Sequence, residues 1–423
     1  MDEVTTPETP VVAATPNPQP NPPDEPHWRR NLAICFFGSF TTLVSMTLLV
    51  PFLPVYIQEL GVTDHAAITL WSAVAFGATF FAAGLVSPLW GWLADRYGRR
   101  PMLIRASLGM AIAMSLMGMA HAVWQLVALR LLAGFLGGYS SSATVFVATQ
   151  TPKARAGWAL GVLSSGITAG GLVGPLVGGV LPPLIGIRET FFISGATIMV
   201  AFLLTVALIR EAPRSAAQRR ARKESGGWRA VPDKRPIIAM LVSGVLVTTA
   251  NMSIEPIITL YVGQISPGAN VTFVAGLIMS AAALGAILSA PRLGKLADRI
   301  GHWGVIIGCL SAAALLLVPQ AFVTAGWQLI LLRLLQGMAM GGLLPCISAV
   351  IRHNVPEHVV GTILGYSISA QFVGLVAGPS LGGLVGAHIG LRTVFLATAA
   401  VLALGAIYNH LTRRTVRIVP TLQ

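Results

Sequence analysis

Apolar residues along this chain come in long unbroken blocks separated by short charged turns. The segment 156–187 carries no Asp, Glu, Lys or Arg over its whole length. A helix crosses a bilayer with about 20 apolar residues, and the chain supplies that length again and again. Charge breaks and turn residues predict twelve spans: 31–57, 67–93, 102–120, 125–149, 158–183, 190–209, 236–263, 271–297, 304–324, 328–351, 361–387 and 393–411. The blocks are continuously apolar and do not alternate with a period of two, so helices are favoured over a barrel. The expected fold class is an all-α membrane protein.

The pattern is also written twice. GWLADRYGRRP at Gly91–Pro101 returns as GKLADRIGHWG at Gly294–Gly304, an offset of 203 residues. WQLVALRLLAGFLGG from 124 returns as WQLILLRLLQGMAMGG from 327, and GPLVGG from 174 as GPSLGG from 378. Two pseudo-symmetric bundles of six helices follow, at 31–209 and 236–412, joined by a linker at 210–235. Six is even, so the halves share one orientation and pair about an axis along the membrane normal. Tails of 1–30 and 413–423 complete the chain. The first is rich in Pro, Thr and Glu, has nothing to bury, and is expected to be disordered.

Composition adds sidedness. Of 423 residues 54% are hydrophobic and 10% charged, well below the roughly 25% charge of a soluble domain. The net charge of +13 does not point to nucleic acid, because the basic residues sit in short turns between spans. Twenty-four Lys and Arg fall on the side of both termini and two, Arg188 and Arg392, on the other. Positive residues stay on the cytoplasmic side, so both termini and the linker are expected there. Cys35, Cys309 and Cys346 lie inside apolar blocks without C-x-x-C spacing, so neither a disulfide framework nor a metal site is expected. No G-x-x-x-x-G-K-[ST] phosphate loop occurs. No nucleophile, base and acid gather at one depth, which argues against an enzyme, and no cofactor is expected.

Four short motifs fall in order along the spans. The loop motif is Gly91, Leu93, Ala94, Asp95, Arg96, Gly98, Arg99 and Arg100, and the fourth span carries Arg130 and Gly134. The fifth span carries Gly170, Gly174, Pro175, Gly178 and Gly179, and the first carries Pro51 and Pro54. With these the chain resembles the major facilitator superfamily, in its twelve-span drug:proton antiporter group. The resemblance implies alternating access, a bacterial cytoplasmic membrane location, a functional monomer, and protons and small molecules as partners beside membrane lipid. It also implies that Asp95, with Gly91, Arg96, Gly98 and Arg99, forms a conformational latch that closes the cytoplasmic side. The second copy, at Asp298 and Arg299, has lost its arginine pair to His302 and Trp303.

Physical readings stand beside these. Gly166, Gly170, Gly174 and Gly178 recur every four residues, one helix face on which another helix can approach closely. The resemblance adds a bending helix at the seam between halves; tight packing alone also fits. Arg130 lies inside a span, where an unsatisfied charge costs roughly 2.5–3.5 kcal/mol. It serves proton coupling, as the resemblance implies, or anchors its helix, as its counterpart Arg333 suggests. Glu255 is the acid well inside a span and corresponds to Val50 in the repeat, so the fold does not require it. It either exchanges a proton and attracts cationic substrate, or reaches the outer headgroups. The first span, unlike those of several drug antiporters, has no acid between 31 and 58, so the coupled group is open among Asp95, Glu255 and a histidine.

Spans 1, 4, 7 and 10 line the central cavity in the family fold. Candidate lining residues are Thr41, Ser45, Ser141, Thr144, Asn251, Gln336 and Met340. This neutral, adaptable set fits varied amphiphilic compounds. Proton-driven export of drug-like molecules is the expected function; a transporter of one specific metabolite, not driven by proton antiport, is the alternative.

Overall fold

A computed structural model describes residues 27–152, 155–211, 228, 231, 233–266 and 270–415. Among these residues the chain is helical and contains no strand. The first half comprises α1 (Trp28–Leu48), α2 (Leu53–Glu59), α3 (His65–Tyr97), α4 (Arg100–Met117), α5 (Val123–Leu136), α6 (Tyr139–Gln150), α7 (Ala156–Ile185) and α8 (Ile187–Leu208). The second comprises α9 (Arg235–Ile254), α10 (Ile258–Ile265), α11 (Val271–Ile300), α12 (His302–Gln320), α13 (Gly326–Met340), α14 (Leu343–His353), α15 (Glu357–His388) and α16 (Leu391–Thr415).

Four predicted spans are each built from two helices, and the sequence supplies the breaks. Pro51 and Pro54 interrupt the first span with a 3₁₀ turn at Val50–Phe52, and Pro256 does the same to the seventh at Glu255–Ile257. A proline removes a donor and crowds the preceding turn. The fourth span breaks at Gly137–Gly138, with Gly138 at φ 98°, and the tenth at Gly341–Gly342. Eleven spans are long and apolar enough to cross a membrane by length and composition. The remaining expected span, 102–120, is α4, whose 18 residues include Arg100 and Arg105. Large side chains such as Leu85 and Leu315 stand 71% and 72% exposed, as lipid-facing residues do when every backbone group is satisfied inside its helix.

The repeat governs the packing. In the first half α1 packs on α7, α3 on α5 and α4 on α8; in the second α9 packs on α15, α11 on α13 and α12 on α16. Side-chain bonds repeat as well: Tyr56 donates to the carbonyl of Met117 at 2.6 Å, and Tyr261 to that of Gln320 at 2.8 Å. Asp64 caps α3 through Ala67 N–H, and Asn270 caps α11 through Phe273 N–H.

Two seams, α3 with α15 and α7 with α11, join the halves. The end of the bundle where α1 begins and α16 ends is termed proximal, the opposite end distal. Seam contacts gather from the distal end to the middle. Gly383 meets Ala73, Gly77 meets Pro379 and Gly84 meets Phe372, while Gly179 meets Thr272 and Phe273 and Ser280 donates to the carbonyl of Leu172 at 2.8 Å. Thr259 adds a buried bond to the carbonyl of Pro51 at 2.7 Å, tying together the broken turns of spans one and seven.

The linker is more than a spacer. Trp228 packs on Tyr366 of α15, ring centroids 6.3 Å apart, and Val231 is buried. Residues 1–26, 212–227 and 416–423, which hold most of the two tails and the basic part of the linker, lie outside the described residues.

Candidate functional site

The loop after α3 turns at Gly98, where φ 99° and ψ 169° put the backbone in a region open essentially to glycine. Gly301 repeats the turn at φ 88° after α11. The side chain of Asp95 lies outside the described residues. Arg96 lies over the rings of Trp92 and Tyr97, at 5.5 and 5.6 Å, while Arg99 is buried. A Cβ at Gly91 would meet nothing within 4 Å. In the second copy Asp298 lies 3.9 Å from His302, whose ring is 5.4 Å from that of His353; Arg299 occupies the last turn of α11.

Glu211, just beyond α8, organises the first loop and was not among the sequence candidates. Its two carboxylate oxygens accept from the backbone N–H of Arg99 at 2.9 Å and of Arg100 at 2.7 Å. A carboxylate there satisfies two orphan donors at the start of α4 and complements the helix dipole. Arg100 returns a bond to the carbonyl of Val206 at 2.8 Å. The signal in sequence was a lone acid immediately after a span, opposite a basic turn.

The glycine motif of α7 serves two neighbours. Gly170, Gly174 and Gly178 face α1, where a Cβ would collide with the carbonyls of Phe40, Val44 and Leu48. Gly179 faces the other way, onto α11, and the carbonyl of Pro175 faces Gly276. The second half repeats this, with Gly382 on Ser253 of α9 and Gly383 on Ala73 of α3.

Arg130 and Arg333 are both buried, 2% and 6% exposed, but differ in what holds them. Arg130 donates from Nε to the carbonyl of Ala75 at 3.0 Å, lies 5.6 Å from the Phe76 ring, and its own carbonyl accepts from Thr79 at 3.0 Å. Arg333 lies 5.9 Å from the Phe395 ring, and its Nε has no hydrogen-bond acceptor among the described residues. It stands within electrostatic reach of Glu255. Glu255 is half-buried in the 3₁₀ turn between α9 and α10. The acid that the repeat does not require is thus near the arginine that lacks the Nε anchor of its counterpart.

The expected cavity residues separate into two sets. Ser141 and Thr144 on α6 are exposed and Asn251 is half-buried. The others are buried: Thr41 donates to the carbonyl of Phe37 in its own helix at 2.9 Å, and Ser45 accepts from Ser194 of α8 at 2.7 Å. Gln336, 1% exposed, accepts from Gln320 of α12 at 2.9 Å and has Met340 Sδ at 3.8 Å. A cavity of ≈ 210 Å³ lies beside Gly137, Gly138 and Ser141, below the point where Gly84 meets Phe372.

Two like-oriented helical bundles, joined by distal seams and lined at the middle by broken helices, define a membrane transporter rather than an enzyme. The family model described as Major Facilitator Superfamily matches residues 35–326 and 268–420. The chain is 42% identical to Multidrug resistance protein MdtG of Enterobacter lignolyticus, covering 92% of this chain and 93% of the relative. It is equally 42% identical to MdtG of Salmonella arizonae, covering 93% and 98%. Among solved structures it resembles a bacterial homologue of the human lysosomal transporter Spinster in an inward-facing, occupied conformation, with TM-score 0.77 at 16% identity over 94% of this chain and 99% of that one. Nucleoside transporter NupG gives TM-score 0.71 at 16% identity over 92% and 99%. The chain belongs to the Major Facilitator Superfamily and is a multi-pass membrane transporter homologous to the MdtG multidrug-resistance proteins.

Proposed function

We propose that this protein exports drug-like amphiphilic molecules across the bacterial cytoplasmic membrane in exchange for protons, working as a monomer. Tilting of the two halves exposes the central space alternately to either side. The observation that carries the reading is the one-sided meeting of the halves: the seams close distally and end at the middle, with the broken turns of Val50–Phe52 and Glu255–Ile257 at their edge. The printed name of the relatives at 42% identity supports drugs as cargo. Positive residues on the side of the termini support a cytoplasmic opening in this conformation.

Glu255 is the proposed proton carrier and Arg333 its counter-charge. The neighbourhood of an acid and an arginine inside a membrane bundle marks a functional pair, because each is costly there alone. Arg130 anchors α5 to α3 and is not assigned to the proton path. Asp95 keeps its proposed role in the latch, assembled when the proximal ends approach.

The test is transport by the full chain in liposomes under an imposed pH gradient, with fluorescent cationic and neutral amphiphiles. Amphiphile-dependent proton movement that is lost in Glu255→Gln, with amphiphile binding retained, is the expected result. Gradient-independent exchange of one metabolite would overturn it in favour of a specific facilitator.

A further inference from the structure

The ≈ 210 Å³ cavity is built differently from a drug-binding chamber. It lies in the proximal half of the first bundle, where α3 and α15 part, and its walls include Val86, Trp90, Arg99, Arg105, Ser142 and Phe372. Pockets that enclose a whole drug hold about 300–1,000 Å³, so this one takes a headgroup.

Two arginines, Arg99 and Arg105, stand in its wall, and none of its described lining residues is acidic. Arg105 lies with its guanidinium carbon 3.5 Å above the ring of Trp90 and donates from Nη2 to the carbonyl of Gly137 at 2.8 Å. Its Nε and Nη1 are shielded from solvent and have no hydrogen-bond acceptor among the described residues. Trp90 is itself fixed, donating from Nε1 to the carbonyl of Phe135 at 2.8 Å. The guanidinium is therefore rigid and stacked, and only partly compensated in surroundings of low dielectric.

The break in the fourth span adds to this. Gly137 and Gly138 end α5 and start α6 on the cavity wall, and no side chain caps the first turn of α6. Uncapped amides at a helix start favour an anion, here added to an arginine that already calls for one. Val86, Val145 and Phe372 give the wall an apolar stretch that suits the first carbons of a tail.

We propose that this cavity binds the acidic headgroup, phosphate or carboxylate, of an amphiphile whose tail leaves between α3 and α15. The ligand is either a lipid of the adjacent leaflet or an acidic cargo molecule. The headgroup sits beside Arg105 and Ser142 and neutralises the guanidinium. Neither export nor proton exchange is needed for this binding.

The experiment is calorimetric titration of the purified full chain, in neutral detergent, with dodecyl phosphate, dodecyltrimethylammonium and inorganic phosphate. Saturable binding of dodecyl phosphate is expected, weakened roughly tenfold or more in Arg105→Gln, with no saturable binding of the ammonium analogue. Ser142→Leu, which fills the cavity and leaves the arginine in place, is expected to weaken binding likewise and carries the test if Arg105→Gln fails to fold. Unchanged affinity in Ser142→Leu, or binding of the ammonium analogue as tight as that of dodecyl phosphate, overturns the proposal. Within a positive result, phosphatidylglycerol that copurifies with the wild-type chain and is lost in Ser142→Leu identifies a lipid. Flux of dodecyl phosphate in liposomes identifies cargo, and competition by inorganic phosphate shows that the headgroup alone suffices.

Discussion

Arg130 donates from Nε to the carbonyl oxygen of Ala75 at 3.0 Å, so the charge in the fourth span clamps α5 onto α3. A bond from a charged donor contributes about 1.5–3 kcal/mol. Arg130→Gln is accordingly expected to lower stability by about that amount, read as an earlier thermal unfolding transition in detergent. Among molecules that remain folded, the pH dependence of transport should keep its shape. A changed pH profile at unchanged stability would show that Arg130 belongs to the proton path.

Arg333 is expected to behave in the opposite way. Its Nε has no hydrogen-bond acceptor among the described residues, and Glu255 stands within electrostatic reach. Arg333→Gln leaves the acid without its counter-charge. Proton-driven transport should fall by roughly tenfold or more, the effect of about 1.4 kcal/mol. Arg333→Lys, which keeps the charge, should recover part of it. The double variant Glu255→Gln with Arg333→Gln should lose no more than the worse single variant, since members of one pair are not additive. Additive losses would separate the two residues.

Glu211 supplies a third test. It accepts from both Arg99 N–H and Arg100 N–H, the first donors of α4. Loss of a good N-terminal cap costs about 0.5–2 kcal/mol. Glu211→Ala should destabilise the first bundle by that amount, with hydrogen exchange rising first at residues 98–103. Glu211→Gln retains one acceptor and should fall between. Equal exchange at this turn in wild type and Glu211→Ala would remove the cap from the account.

The two-bundle architecture was legible because duplication leaves a periodic trace. Gly179 and Gly383, 204 residues apart, both meet a helix of the opposite half, and Tyr56 and Tyr261 both bond a carbonyl at the end of the span two further along the chain. Facing was not legible. Ser45 and Gln336 lie on spans expected to line the centre, yet they bond Ser194 and Gln320 inside their own bundles. A neutral polar side chain in an apolar helix needs a partner, and a neighbouring helix provides it as well as a cavity does. Arg105 shows a second limit. Its charge placed it among the topological arginines, while its stacking on Trp90 depends on a turn at Gly137 that interrupts an otherwise continuous apolar run.

The glycines of the seams make the last prediction, because distal and proximal members differ in this conformation. A Cβ at Gly179 would sit 2.9 Å from the carbonyl of Thr272 and 3.0 Å from Phe273 Cα, so the distal seam has no room for it. At Gly91, Gly161, Gly294 and Gly365, on the proximal stretches of α3, α7, α11 and α15, a Cβ would meet nothing within 4 Å. Those four helices are the seam helices, and their proximal glycines are idle here. Gly179→Ala should therefore penalise the distally closed state by about 1–3 kcal/mol, the usual cost of overpacking. Gly161→Leu should leave this state unstrained and obstruct the one in which the proximal ends meet. A substitution moves the equilibrium only through its unequal effect on the two states. Pulsed electron–electron distances between labels near the proximal ends of α3 and α15 read the outcome. Gly179→Ala should enlarge the short-distance population and Gly161→Leu should deplete it, while identical distributions in both variants would mean that the halves do not exchange one closed seam for the other.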